Sequence, residues 1–119
     1  MILLDASAVL AFLRDEPGAD LVHDVLEGGG AILSSVTWAE LVFKARRLAM
    51  AVPGELLLLV DVHPFSLDHA NASTDFTLPG LSLGDRCCLA VARALDVPVL
   101  TADRLWAAVD SVDVRLIRS

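Results

Sequence analysis

The chain begins with four apolar residues, MILL, that run directly into Asp5. A second run of the same kind, VPVL at 97–100, leads into Thr101 and Asp103. Strands that are buried on both faces of a parallel sheet read as continuous apolar runs, because helices cover both sides of the sheet. These two runs therefore predict buried parallel strands, each of which ends beside a carboxylate.

Helical patterns alternate with apolar runs along the rest of the chain. Strands are predicted at 1–4, 31–36, 61–65, 99–101 and 112–117. Helices are predicted at 6–13, 17–27, 37–50, 53–60, 67–76, 82–95 and 103–109. Alternation of this kind is typical of βαβ units. The predicted fold class is α/β: a three-layer α/β/α arrangement with a mostly parallel central sheet, forming one domain over residues 1–119.

Composition narrows the class of protein. Apolar residues make up 55% of the chain, which suits a sizeable core. Cys87 and Cys88 are adjacent and are the only cysteines, so they indicate neither a disulfide framework nor a metal site, and they favour a cytoplasmic setting. We expect no signal peptide and no membrane span. The net charge of −7 argues against nucleic-acid binding through a basic surface, an objection that a nuclease must answer.

Four acidic residues stand at strand ends or near the starts of helices. They are Asp5, Glu40, Asp85 and Asp103. Open α/β sheets bind ligands at the carboxyl ends of their strands, where these acids would meet. Two unit charges about 4 Å apart repel by roughly 4 kcal/mol at an effective dielectric of 20, so four converging carboxylates need a counter-charge. Mg²⁺ or Mn²⁺ suits an all-carboxylate site and would activate water for phosphodiester hydrolysis.

Helix chemistry alone offers a second interpretation of each acid. Asp5 is a favourable N-cap for the helix that follows it. The segments 37–40 and 82–85 both have the layout of a capping box, with Glu40 and Asp85 as the returning acids. Asp103 suits a first helical turn, where the helix dipole favours negative charge. The residues by themselves leave both interpretations open.

Four segments together resemble the motif blocks of PIN domains, and more narrowly those of VapC-type toxins of bacterial toxin–antitoxin pairs. In chain order they are MILLDASAVLAFL, SSVTWAEL, LSLGDRCCLAVARAL and VPVLTADRLWA. The resemblance covers essentially the whole chain. It implies a PIN-like fold and a Mg²⁺- or Mn²⁺-dependent endoribonuclease that cleaves structured RNA by hydrolysis. It also implies neutralisation by a cognate VapB-type antitoxin, and a homodimer.

The same resemblance implies a role for each acid and for Ser7. Asp5, Asp85 and Asp103 would hold metal, directly or through water, and Glu40 would bind metal or orient the attacking water. Ser7 would hydrogen bond to a carboxylate or a phosphate. Three more residues are candidates by their position: Thr101 would orient Asp103, and Arg86 and Arg104 would contact RNA phosphates. Each of the four also has a simpler interpretation as a helix-start, strand-end or solvated residue.

The chain departs from the family pattern after Asp103. Many members carry a further acid or amide there, whereas Arg104, Leu105 and Trp106 follow here. We therefore expect one firmly held ion, with any second ion recruited by the RNA. Three histidines are predicted to lie at the surface or in loops: His23, His63 and His69. Apolar residues in the first two helices and at 56–60 are predicted to form interfaces.

Other functional classes remain to be compared. A PIN fold that has lost catalysis and only binds a partner is the main alternative, although the four intact acids argue against it. A phosphatase of the haloacid dehalogenase type needs a second Asp where this chain has Ser7. A phosphorelay receiver needs a lysine after the last strands, and the only lysine is Lys44.

Overall fold

A computed structural model describes all residues, 1–119, and contains one five-stranded sheet. Its strands are β1 (Ile2–Leu4), β2 (Ala31–Ser34), β3 (Asp61–His63), β4 (Val99–Thr101) and β5 (Val114–Leu116). The strand order is β3-β2-β1-β4-β5, and every neighbouring pair is parallel. The predicted parallel sheet is confirmed, and it is parallel throughout.

Five helices and two 3₁₀ turns connect the strands. The helices are α1 (Ala6–Leu13), α2 (Ala19–Glu27), α3 (Ser35–Arg47), α4 (Leu67–Ser73) and α5 (Leu83–Leu95). The 3₁₀ turns are Gly54–Leu58 and Arg104–Ala108, where the sequence pattern predicted longer helices at 53–60 and 103–109. None of the helices is long and apolar enough to cross a lipid bilayer.

Helices cover both faces of the sheet, so the predicted α/β/α layering is confirmed. Successive side chains of a strand point to opposite faces. In β1, Leu4 packs in a cluster with Val9 of α1 and Val22 of α2. Leu3 packs on the other face in a cluster that contains Leu89 of α5. Each face therefore has its own apolar core, and β1 belongs to both.

The central position of β1 determines where the sheet can bind a ligand. The chain builds β2 and β3 on one side of β1 and then crosses to form β4 and β5 on the other. Such a reversal of strand order opens a crevice at the carboxyl ends of the strands. Asp5 follows β1 at this point, and its backbone N–H donates to the carbonyl oxygen of Leu100 at 3.0 Å.

The boundary between β2 and α3 differs from the prediction by two residues. The strand ends at Ser34, and the Ser34 hydroxyl caps α3 by accepting from the N–H of Val36 at 3.2 Å. Ser34 is a favourable N-cap, so the helix begins there and not at Thr37. The capping box predicted for 37–40 is therefore wrong. Thr37 lies inside α3 with a buried hydroxyl that has no partner, and Glu40 is left free for another role.

Two predictions about surface residues are also wrong. His69 is buried, because its Nδ1 accepts from the N–H of Ser66 at 3.0 Å and completes the capping box of α4. Apolar residues of α1 belong to the core and not to an interface: Ala6, Ala8, Val9 and Ala11. Both errors have one origin, since helical periodicity cannot show what packs against a helix.

Gly18 precedes α2 with a φ of +94°, a conformation that disfavours residues with a Cβ. A Cβ there would lie 2.6 Å from the carbonyl oxygen of Ile117. We predict that Gly18→Ala lowers the free energy of unfolding by about 3 kcal/mol, since backbone strain and overpacking add. The control is Gly29→Ala, with a φ of +79° and no atom within 4 Å, which should cost about 1 kcal/mol. Urea unfolding measures both, and equal losses would contradict a contribution from Ile117.

Candidate active site

Asp5 is almost completely buried, at 3% exposure, and two hydroxyls orient its carboxylate. Ser7 Oγ donates to Asp5 Oδ2 at 2.6 Å, and Thr101 Oγ1 donates to the same oxygen at 2.9 Å. No protein group donates to the other oxygen, Oδ1. One carboxylate oxygen is thus fixed by the protein, and the other is available to a ligand.

Backbone amides hold these hydroxyls in turn. The N–H of Ala102 donates to Ser7 Oγ at 2.9 Å, and the N–H of Asp103 donates to Thr101 Oγ1 at 3.1 Å. A hydroxyl has one proton, so accepting from an amide leaves that proton for Asp5. The network therefore joins the end of β1, the start of α1 and the end of β4 around a single carboxylate oxygen.

The helix-capping interpretation holds for two of the four acids and fails for two. Asp5 occupies the N-cap position of α1, but its side chain makes no capping bond. Asp85 completes the predicted capping box of α5, where its Oδ2 accepts from the N–H of Ser82 at 2.9 Å. Asp103 caps the following 3₁₀ turn, where its Oδ1 accepts from the N–H of Leu105 at 3.0 Å. Each capping acid uses one oxygen in this way and keeps the second.

Glu40 projects from α3 towards the first turn of α5. Its Oε2 lies 3.7 Å from Nζ of Lys44, one helical turn further along α3. Its carboxyl group also lies directly against Gly84. The sequence interpretation did not place Lys44 or Gly84 at the site. The i,i+4 spacing could have indicated Lys44, whereas nothing local in the sequence indicates the contact with Gly84.

Two of the acids, Asp5 and Glu40, have pKa values raised by their surroundings. Burial raises the pKa of Asp5, the hydroxyls of Ser7 and Thr101 oppose that rise, and the charge of Asp85 adds to it. Burial likewise raises the pKa of Glu40. The ammonium group of Lys44 opposes this second rise, while Asp5 and Asp85 add to it. The charge of Asp85 thus acts on both Asp5 and Glu40, and the charge of Asp5 acts on Glu40.

Asp103 approaches this group through Thr101 and not through its own carboxylate. Its N–H bonds to the same hydroxyl that orients Asp5, but its charge is not among those that shift the pKa of Asp5 or Glu40. In this geometry no three Asp, Glu, His or Cys side chains stand close enough together to form a ready-made metal cage. The charge of Asp85 thus acts on both Asp5 and Glu40, whereas Asp103 is linked to Asp5 through the hydroxyl of Thr101.

The chemistry of the available donors nevertheless suits a hard divalent cation. The candidate ligands are all carboxylate oxygens, which Mg²⁺ and Mn²⁺ prefer. Asp5 Oδ1 has no competing hydrogen-bond donor. Lys44 is the only basic side chain that pairs with Glu40, while the charges of Asp5 and Asp85 both disfavour the ionised form of Glu40. Burial raises the pKa of the Cys87 and Cys88 thiols, so these side chains remain neutral beside the acids. A bound cation would relieve the repulsion among the three acids.

Two basic residues adjoin the acids and form no ion pair. Arg86 follows Asp85 and is half-buried, and Arg104 follows Asp103 and is exposed. Neither guanidinium lies within 4.0 Å of a carboxylate, unlike those of Arg14, Arg93, Arg115 and Arg118. Both charges are therefore free to meet an anion.

Comparison with known proteins identifies the family. Residues 2–112 match the PIN domain, and no curated protein matches the chain. A toxin–antitoxin complex from Klebsiella pneumoniae contains a similar chain at 20% identity and a TM-score of 0.74, covering 94% of this chain and 95% of that one. A DNA-bound VapBC from Salmonella typhimurium is similar at 15% identity and a TM-score of 0.74, covering 98% and 97%.

A third solved structure, FitAcB from Neisseria gonorrhoeae, is similar at 23% identity and a TM-score of 0.68, covering 98% of this chain and 96% of that one. At such identities the three likenesses show a shared fold. Family membership is shown by the match over residues 2–112. The parallel sheet with Asp5 at the end of its central strand agrees with that match. The chain belongs to the PIN domain family.

Proposed function

We propose that the protein is a VapC-type toxin, a single PIN domain over residues 1–119 that acts as a Mg²⁺- or Mn²⁺-dependent endoribonuclease on structured RNA. The observation that carries this proposal is the Asp5 carboxylate. It is buried at the switch point of the sheet, anchored through one oxygen, and within the fields of Asp85 and Lys44. Its Oδ1 accepts no hydrogen bond from the protein, which leaves this oxygen available to a ligand.

Each acid has a distinct task in the proposed reaction. Asp5 would bind the metal through Oδ1 while Ser7 and Thr101 keep the carboxylate from rotating. Asp85 and Asp103 would contribute the oxygens that their capping bonds leave free, directly or through water. The bound ion would supply Lewis-acid stabilisation of the charge that develops on the phosphoryl group.

Glu40 would orient the attacking water or add a metal ligand. Its pKa is raised by burial and by neighbouring acids, which makes it a better proton acceptor than an ordinary glutamate near neutral pH. Arg86 and Arg104 would contact the phosphates that flank the scissile bond, since both lack an internal partner. Local positive charge and a metal ion would thereby offset the net charge of −7 for an RNA substrate.

The proposed partners follow from the resemblance and from exposed apolar side chains. We propose a VapB-type antitoxin and a homodimer in the cytoplasm. Leu57, Leu58 and Leu59 are 42%, 84% and 46% exposed around one 3₁₀ turn, and Phe43 on α3 is 61% exposed. Clusters of exposed large apolar residues are typical of protein interfaces.

The first test is cleavage of total cellular RNA by the purified, antitoxin-free protein. We predict discrete fragments with Mg²⁺ or Mn²⁺, none with EDTA, and a loss of at least about 100-fold in rate for Asp5→Asn, since the variant removes a metal ligand. The control is Asp110→Asn, which changes an exposed acid without hydrogen bonds or ion pairs. This variant should cleave like the wild type.

Cleavage that persists in EDTA or in Asp5→Asn would contradict the proposed mechanism. If folded wild-type protein cleaves no RNA with either ion, the PIN-fold binding module without catalysis becomes the better description.

A second prediction concerns stability without metal. The pKa of Asp5 is raised above the ordinary value of 3.8, so ionisation destabilises the folded state. Below pH 3.8 Asp5 is protonated in both the folded and the unfolded states, so the wild type keeps its full stability. As the pH rises through the raised pKa, Asp5 ionises in the folded state and the free energy of unfolding falls. We predict that Asp5→Asn, which cannot ionise, gains stability relative to the wild type between pH 4 and pH 8. Each unit of raised pKa contributes about 1.4 kcal/mol to this gain.

Thermal unfolding in EDTA across this pH range measures the difference. Asp110→Asn is the control for removing one acidic side chain, because Asp110 is exposed. A constant offset between Asp5→Asn and the wild type would show that Asp5 ionises as easily when folded as when unfolded.

A third prediction concerns the number of ions. Arg104, Leu105 and Trp106 follow Asp103 without a further acid, and one oxygen of Asp103 is already used to cap the 3₁₀ turn. We predict one tightly bound Mn²⁺ per chain in the absence of RNA, measured by isothermal titration calorimetry. Two tight ions per chain would contradict this expectation.

A further inference from the structure

Glu40 is packed onto the backbone of α5 at a single point, Gly84. A Cβ built on Gly84 would overlap Oε2 of Glu40 and would lie 3.0 Å from its Cδ and 3.4 Å from its Oε1. The three atoms nearest to that Cβ all belong to the Glu40 carboxyl group. No part of the α3 backbone limits the side chain at position 84, so the glycine makes room for the carboxylate and not for the helix.

Backbone conformation gives no other reason for glycine at this position. Gly84 lies within α5, and it is not among the glycines with positive φ, which are Gly18, Gly29 and Gly80. Glycine loses more conformational freedom on folding than alanine does, which disfavours it in a helix. The residue therefore carries a local cost, and the space that it provides for Glu40 is the only compensation visible in the structure.

This space brings the carboxylate of Glu40 to the first turn of α5, beside Asp85. The 13-residue helix presents the positive end of its dipole there, which favours a negative charge. Lys44 is the only basic side chain that pairs with Glu40, at 3.7 Å. A Cβ at position 84 would push the carboxylate away from α5 and away from the crevice that Asp5 and Asp85 share.

We infer that Gly84 is a positioning residue, whose missing side chain lets Glu40 join Asp5 and Asp85 at the metal. The inference rests on the proposed function, because it concerns the same site. Gly84 touches neither metal nor RNA and acts only through Glu40. Enlarging it should therefore weaken metal binding, and the loss should depend on the presence of Glu40.

The test is a double-mutant cycle on Mn²⁺ affinity, measured by calorimetry without RNA. Gly84→Ala should weaken Mn²⁺ binding roughly tenfold, the lower end of the range for residues that orient metal ligands. In a Glu40→Ala background the same change should alter the affinity by less than about twofold, because the group that it displaces is gone. Gly54→Ala is the matched control, since no atom lies within 4 Å of its added Cβ. It should leave Mn²⁺ affinity unchanged.

Thermal unfolding in EDTA distinguishes a positioning role of Gly84 from a general packing role. It is measured for the wild type, Gly84→Ala, Glu40→Ala and the double variant. With Glu40→Ala, Gly84→Ala should raise the melting temperature, because alanine favours the helix and meets no obstacle. With Glu40 present, the gain should be smaller or reversed. A glycine needed for close approach of α3 and α5 would instead lower the melting temperature in both backgrounds, and that result would overturn the inference.

Two further outcomes distinguish the inference from the proposed function. Equal Mn²⁺ affinities for the wild type and Gly84→Ala would overturn the role of Gly84 and leave the proposed function standing. A wild type that binds no Mn²⁺ would overturn the proposed function and the role of Gly84 with it.

Discussion

The buried carboxylate of Asp5 is the group around which the site is organised. A buried charge is costly unless hydrogen bonds compensate it, and here two hydroxyls donate to one oxygen. Those hydroxyls are themselves fixed by the N–H groups of Ala102 and Asp103. The same few bonds therefore link β1, α1 and β4 and define the direction of the free oxygen. Since Asp5 lies where the strand order reverses, the fold and the site share this one constraint.

Capping chemistry and metal chemistry are compatible in this site because a carboxylate has two oxygens. Asp85 completes the capping box of α5 and Asp103 caps a 3₁₀ turn, each through one oxygen. The bond to the backbone orients the second oxygen at no additional entropic cost. The two interpretations that the sequence left open for these acids are therefore not exclusive. For Asp5 and Glu40 the capping interpretation is wrong, and their side chains face the crevice instead.

Burial of acidic side chains is only partly compensated in this site. It raises the pKa values of Asp5 and Glu40, the charge of Asp85 adds to both rises, and Lys44 is the one internal cation that opposes them. Functional sites commonly retain groups that destabilise the folded state, and the rest of the protein supplies the compensating stability. Two separate apolar clusters, one on each face of the sheet, supply that stability here. The proposed ion would offset the negative charges that Asp5, Glu40 and Asp85 carry at the strand ends.

The sequence by itself determined the α/β class, the buried strands and the capping box of α5, and it supplied the four acids of the proposed site. These features depend on apolar runs and on residues three or four apart, which a chain displays directly. It could not determine that Thr101 bonds to Asp5, 96 residues away, or that Glu40 packs on Gly84. It also misplaced the start of α3, because Ser34 and Thr37 are both plausible caps and the last pair of the ladder, Ser34 with His63, decided between them. Only the tertiary structure settles such contacts, because the sheet order determines which distant segments become neighbours.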